Sequence, residues 1–88
     1  MDVVLNQDAA PRILRIVLAL LQKRGGPAQV TLDQNLREAG MTSLDMVNLM
    51  LAVEGEFDLF IPEAEMTPDN FRSVAAIESL VSHIVQAA

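Results

Sequence analysis

Residues 38–58 read EAGMTSLDMVNLMLAVEGEFD, and they combine a helix-starting signal with an apolar stripe. Thr42 supplies a capping oxygen and Asp45, three residues on, a carboxylate that can return a bond to the Thr42 N–H, a variant of the capping box. A helix therefore begins at Thr42 or Ser43 and runs to about Phe57. Met46, Leu49, Met50, Val53 and Phe57 fall at i, i+3, i+4, i+7 and i+11, so they form its core-facing stripe. Gly55 interrupts the helix at a local cost of about 1 kcal/mol relative to alanine. A second apolar set, Leu44, Val47 and Leu51, lies on another face. Either this helix is central and buried nearly all round, or the three side chains form an exposed patch ringed by acids, which marks a docking surface. Ser43 has two readings as well. It is a plain helix cap, or it is a hydroxyl placed to carry a phosphodiester, because free backbone N–H groups and the positive end of the helix dipole stabilise an anion there.

Outward from this segment the chain reads as further helices. Residues 8–24 form the first: Asp8 caps it, Pro11 sits in its first turn, and Ile13, Ile16, Val17, Leu20 and Leu21 recur at helical spacing. Gly25 and Gly26 end it, helped by Lys23 and Arg24 in the last turn and by Pro27 beyond. A connection longer than most helix joints follows, GGPAQVTLDQNLREAGM, in which Val30, Leu32 and Leu36 are spaced to pin the loop to the core and LREAG makes a single helical turn closed by Gly40. After Phe57, LFIP is extended because Ile61 precedes Pro62. TPDNF then starts a short helix with Thr67 as cap and Pro68 at the first helical position. The last helix begins near Ser73 and turns Val74, Ile77, Leu80 or Val81, Ile84 and Val85 inward. The expected fold is all-α: a small antiparallel four-helix bundle, three longer helices and one short, over a single domain of residues 1–88.

The bulk composition agrees. Apolar residues make up 51% of the 88 residues and aromatics only 3%, which suits an aliphatic helical core better than a β-sandwich. There is no Cys and a single His83, so no disulfide framework, thiolate metal site or imidazole cluster is available. Twelve Asp and Glu against six Lys and Arg leave a net charge of −6, which argues against a nucleic-acid partner. The acids crowd the middle: Glu38, Asp45, Glu54, Glu56, Asp58, Glu63, Glu65 and Asp69 lie between Arg37 and Arg72 with no base among them, so a partner docking there is basic. The apolar run ILRIVLALL, residues 13–21, is too short to span a bilayer, is broken by Arg15, and follows an acidic start unlike that of a signal peptide. The chain is read as cytoplasmic, with no membrane partner.

Catalytic readings find little support. A nucleophilic Ser needs a base and the base an orienting group, and neither is evident near Ser43. His83, in the last turn of the last helix, simply complements the dipole there. Glu54, Glu56 and Asp58 read as a solvated acidic face rather than an acid-base pair. No metal spacing, phosphate loop or nucleotide fingerprint appears. A Ser that carries a group needs no base of its own, since another enzyme does the chemistry.

The segment AGMTSLDMVNLMLAVEGEFDLFIP, Ala39 to Pro62, resembles the heart of the acyl carrier protein family, in which Gly, a spacer, Asp-Ser-Leu, an amphipathic helix ending in Glu-x-x-Phe or similar, and a hydrophobic-Ile-Pro turn follow in this order. The likeness extends more weakly over almost the whole chain, including the order of helices. It implies that a separate phosphopantetheinyl transferase esterifies Ser43 with 4′-phosphopantetheine from coenzyme A, and that the arm's thiol holds an acyl or aminoacyl cargo as a thioester. It also implies a non-catalytic monomer whose Leu44, Asp45, Val47, Leu51 and Glu54 contact basic partner enzymes, a ligase that loads the arm and a downstream transferase, and whose Met50, Val53 and Phe57 line a core that shelters cargo. The chain departs from the family pattern at Thr42, where Asp is usual, and at Asn48 and Gly55, where many members have Glu. Its recognition helix is less acidic and more apolar, which points away from fatty acid synthase enzymes as partners. The segment PEAEMTPDNFRSV is somewhat longer than in the fatty-acid carriers, and the ending NFRSVAAIESLV is more similar to stand-alone specialised carriers, including those charged with an amino acid by truncated synthetase-like ligases. A different class remains open: an unmodified helical adaptor that binds a basic protein through the same helix.

Overall fold

The computed structural model describes residues 2–23, 25–26 and 29–87. Among these the order is α1 (Asp2–Gln22), α2 (Ser43–Phe57), two 3₁₀ turns (Glu63–Glu65 and Asp69–Phe71) and α3 (Val74–Ala87), with no strand. The all-α expectation holds. The short helix expected at TPDNF is a single 3₁₀ turn, Asp69–Phe71, and a further 3₁₀ turn, Glu63–Glu65, precedes it where no helix was expected. Thr67 still caps, since its Oγ1 accepts from the Asn70 N–H at 3.3 Å. The Asn70 amide then ties the turns together by donating to the Glu65 carbonyl at 2.8 Å.

α1 begins six residues earlier than the expected Asp8, and Pro11 lies inside it rather than in its first turn. Residues 2–7 contain neither Gly nor Pro, so nothing in the chain stops the helix from extending back, and Pro11 costs it one main-chain bond. Its C-terminal stop is built as the glycines predict. Gly25 adopts the left-handed conformation at φ 72° and donates to the Gln22 carbonyl at 3.0 Å, and Gly26 donates to the Leu21 carbonyl at 2.9 Å, the paired bonds of a Schellman motif. Lys23 lies just beyond the helix, while Arg24 and Pro27 fall outside the described residues.

α1 packs against both α2 and α3, and α3 also packs against the second 3₁₀ turn. One face of each helix enters a common core: Ile13, Val17 and Leu21 from α1, Met46, Leu49 and Val53 from α2, and Val74, Ile77, Leu80 and Val81 from α3. Both Leu80 and Val81 are buried. Ile16, Leu20, Met50, Phe57, Ile84 and Val85 are partly buried against this core. The long loop contributes Val30 and Leu36, and fully burying a side chain such as Leu36 is worth about 1.5–3 kcal/mol. Leu32 behaves differently from the expectation. Its side chain is 47% exposed, and it fixes the loop through its backbone, where its carbonyl accepts from the Ala75 N–H at 2.9 Å in the first turn of α3. The Leu36 N–H in turn donates to the Arg72 carbonyl at 2.8 Å. The LREAG turn forms as expected, closed by Gly40 at φ 120° and by a bond from Met41 N–H to the Leu36 carbonyl at 3.0 Å. Tied in this way, the loop delivers the chain to the start of α2 at a fixed place.

Candidate functional site at the start of α2

The first turn of α2 is locked before it reaches Ser43. Thr42 is in extended conformation at ψ 173°, its Oγ1 accepts from the Asp45 N–H at 3.2 Å, and the Asp45 Oδ2 accepts from the Thr42 N–H at 3.0 Å. The reciprocal box is the one expected from the spacing. It makes Thr42 the cap and leaves Ser43 as the first helical residue, exposed to solvent. Among the described residues no acceptor is found for the Ser43 and Leu44 N–H groups, so they point their partial positive charge outward beside the Ser43 hydroxyl.

On the outer face of α2, Leu44 is 65%, Val47 50% and Leu51 59% exposed. The helix is therefore not buried all round, and these side chains form the apolar patch. The two acids expected beside them are differently employed. Asp45 is only 6% exposed, its carboxylate within the capping box. Glu54 is half-buried and its Oε2 accepts from the Ile61 N–H at 2.8 Å, which holds the extended segment after α2 in register. Ile61 is consequently fully buried while its neighbour Phe60 stands 74% exposed. Phe60 was legible only as the outward position of an alternating Leu-Phe-Ile strand-like segment.

The acidic end of α2 is likewise structural in part. Arg12 of α1 donates from Nε to the Glu56 carboxylate at 2.7 Å and from Nη2 to the Glu56 carbonyl at 2.7 Å, and its guanidinium lies 4.5 Å from the centre of the Phe57 ring. Nothing in the sequence paired Arg12 with a residue so far along the chain. With Glu54 on a backbone N–H and Glu56 on Arg12, an acid-base pair is not assembled. His83 is exposed on α3, one residue short of its last turn. Among the described residues no group of His, Cys, Asp or Glu could hold a metal ion. None of the described helices is long and apolar enough to cross a membrane.

Beside Ser43 opens a cleft of about 320 Å³. Met46, Val47 and Met50 of α2 line it with Met66 and Phe71, and Arg37, Arg72, Asn35 and Asp69 are the charged and polar residues that border it with Ser43. Met50 thus faces the cleft, whereas Val53 is fully buried in the main core and Phe57 faces Arg12. Sequence reasoning named neither arginine as a site residue. The available signal was that they bracket the acidic run, and the 35 positions between them concealed that they line one cleft. An exposed hydroxyl with free amides, two guanidiniums and an apolar wall is an arrangement that accommodates a phosphodiester continuing into a flexible chain.

The comparisons with known proteins agree with this geometry. The family model described as phosphopantetheine attachment site matches residues 11–81. Aminoacyl carrier protein 1 of Bradyrhizobium diazoefficiens is 46% identical over 83 residues, which span 94% of this chain and 92% of that protein. The aminoacyl carrier protein of Agrobacterium fabrum is 33% identical over 73 residues, or 82% of this chain and 88% of that protein. Among solved structures, the crystal structure of Bradyrhizobium japonicum glycine:carrier protein ligase with its cognate carrier protein and an analogue of glycyl adenylate contains a chain 46% identical to this one, superposed with a TM-score of 0.73 over 86% of this chain and 99% of that chain. A second structure of that ligase, with glycylated carrier protein, matches with a TM-score of 0.71 over 83% of this chain and 99% of that one.

Proposed function

We propose, from the premise that this chain belongs to the phosphopantetheine-attachment family of carrier proteins, that Ser43 bears the 4′-phosphopantetheine arm and that the cargo is an amino acid. The observation that carries the assignment is the position of Ser43: a solvent-exposed hydroxyl on the first residue of α2, beside free amides and outside the capping box that fixes the turn. When attached, the arm supplies a terminal thiol that holds cargo as a thioester. In the transfer from coenzyme A the Ser43 Oγ–H gives up its proton to the transferase, Oγ forms the new P–O bond, and the adenosine bisphosphate half leaves. The chain's own residues then present and orient. Leu44, Val47 and Leu51 form the apolar centre of a docking surface for the loading ligase and for a downstream transferase, with Asp45 and Glu54 adding negative charge to the partner-facing helix from positions fixed by backbone bonds.

Amino acid cargo is supported by two relatives, each aminoacyl carrier proteins by name and each 46% identical to this chain. We extend the proposal to a cytoplasmic monomer, a single carrier domain over residues 1–88 that catalyses no reaction itself; the lack of cysteine suits a reducing compartment. The test is the intact mass after incubation with coenzyme A, magnesium and a broad-specificity phosphopantetheinyl transferase. One added phosphopantetheine on the wild type and none on Ser43→Ala is expected. Adding ATP, glycine and a glycine:carrier protein ligase should then give a second increment that hydroxylamine removes. No first increment on a folded wild type would sink the Ser43 assignment and leave a helical adaptor.

A further inference from the structure

We propose that Arg37 and Arg72 together clamp the phosphodiester that joins the arm to Ser43, holding the root of the arm at the mouth of the cleft; this rests on Ser43 being the attachment residue. The two arginines are 35 positions apart in the chain, yet both border the cleft that Ser43 borders. Their placement is built by the backbone rather than by chance side-chain reach. The Leu36 N–H donates to the Arg72 carbonyl at 2.8 Å, which stitches the residue before Arg37 to the segment that opens α3. Gly40 N–H donates to the Arg37 carbonyl at 3.1 Å and Arg72 N–H to the Asp69 carbonyl at 3.4 Å, so both arginines sit within closed turns.

Their charge is uncommitted. Arg12 forms an ion pair with Glu56, whereas neither Arg37 nor Arg72 forms one among the described residues, although eight acids lie between them in sequence. The carboxylates nearest the site are otherwise arranged: Asp45 is held in the capping box, and Asp69 is the single acid on the border of the cleft. Two arginines against one carboxylate line this cleft, in a chain of net charge −6. A phosphodiester on Ser43 meets two planar donors suited to phosphate oxygens, together with the amides of Ser43 and Leu44. The two arginines are positioning residues. They take no part in breaking or forming a bond, and they restrict where the arm starts.

The experiment uses protein labelled with nitrogen-15 in arginine, apo and phosphopantetheinylated, as wild type, Arg37→Gln, Arg72→Gln and the double variant. Both side chains are exposed and the bonds above are made by their backbones, so the folds should be retained, as circular dichroism would check. Intact mass first establishes that each sample carries the arm. The side-chain Nε–H resonances of Arg37 and Arg72, and not that of Arg12, should shift on modification. Phosphorus-31 relaxation of the tethered group should be slower-tumbling in the wild type and lose that restriction in the double variant. A modified wild type whose arginine resonances do not move, with phosphorus relaxation equal to the double variant's, overturns the clamp while Ser43 stands. Arginine shifts that occur only when free coenzyme A is added to the apo protein without transferase also overturn it, since the pair would then serve the donor and not the tethered arm. Absence of the mass increment removes the attachment reading and the clamp with it.

Discussion

At the scale of single residues, the start of α2 separates two jobs that one serine can do. Thr42 accepts the bond from the Asp45 N–H, so the hydroxyl of Ser43 is not spent on capping. This division lets Ser43 be modified without unwinding the helix. Thr42 in place of the usual Asp keeps a capping oxygen, and Asp45 supplies the returning carboxylate. Asp45→Ala is therefore expected to destabilise the fold by about 1 kcal/mol, from loss of the reciprocal cap, and Asp45→Asn by less because an amide oxygen still accepts. Urea unfolding of the two variants measures this. Equal losses for both would mean that the carboxylate's charge, and not its bond to Thr42, matters.

At the scale of elements, the helix ends show how much depends on left-handed residues. α1 closes on Gly25 and Gly26, and a Cβ on Gly26 would lie 2.8 Å from the Leu21 carbonyl oxygen, so Gly26→Ala forces the turn open. α2 closes instead on Asp58 at φ 51°, whose N–H donates to the Glu54 carbonyl while Leu59 N–H donates to the same oxygen at 3.1 Å. A non-glycine residue there carries a conformational cost of roughly 1 kcal/mol. Asp58→Gly should raise the thermal midpoint and Gly26→Ala should lower it, both readable by circular dichroism melts. Asp58→Gly tests the left-handed position and Gly26→Ala the close approach to the Leu21 carbonyl; if Asp58→Gly lowered stability, the Asp58 side chain would be contributing something beyond its backbone.

At the scale of the whole molecule, a core shared by three helices leaves the outer face of α2 exposed, with Leu44, Val47 and Leu51 on it. Leu44→Asp and Leu51→Asp remove apolar contact at positions more than half exposed, where surface substitutions usually change stability by at most about 0.5 kcal/mol. Loading by a ligase should fall sharply in both variants while phosphopantetheinylated protein stays folded, with the change appearing in KM for the carrier. Glu54→Gln, which preserves an acceptor for Ile61 N–H, should lower the association rate with a basic partner, and added salt should do so for the wild type. Loading indifferent to all of these changes would place the docking surface elsewhere on the molecule.

Local signals determined the parts of this protein that are written within one turn of helix. The Thr42–Asp45 box and the glycine stop of α1 are each contained in a few neighbouring residues, and the apolar stripe of α2 repeats within that one helix, so spacing and residue type sufficed. The start of α1 and the short helix were read less well. Pro11 is compatible with a first turn or with the interior of a helix, and TPDNF carries a start signal whose helix lasts a single 3₁₀ turn. What only tertiary structure decided is which charged side chains meet. Arg12 finds Glu56 across the α1–α2 contact, Glu54 holds Ile61 where the chain leaves α2, and Arg37 and Arg72 come to one cleft because the loop is tied to the start of α3. Such pairings depend on helix packing and chain reversal, and neither is encoded in the spacing of residues along a single element.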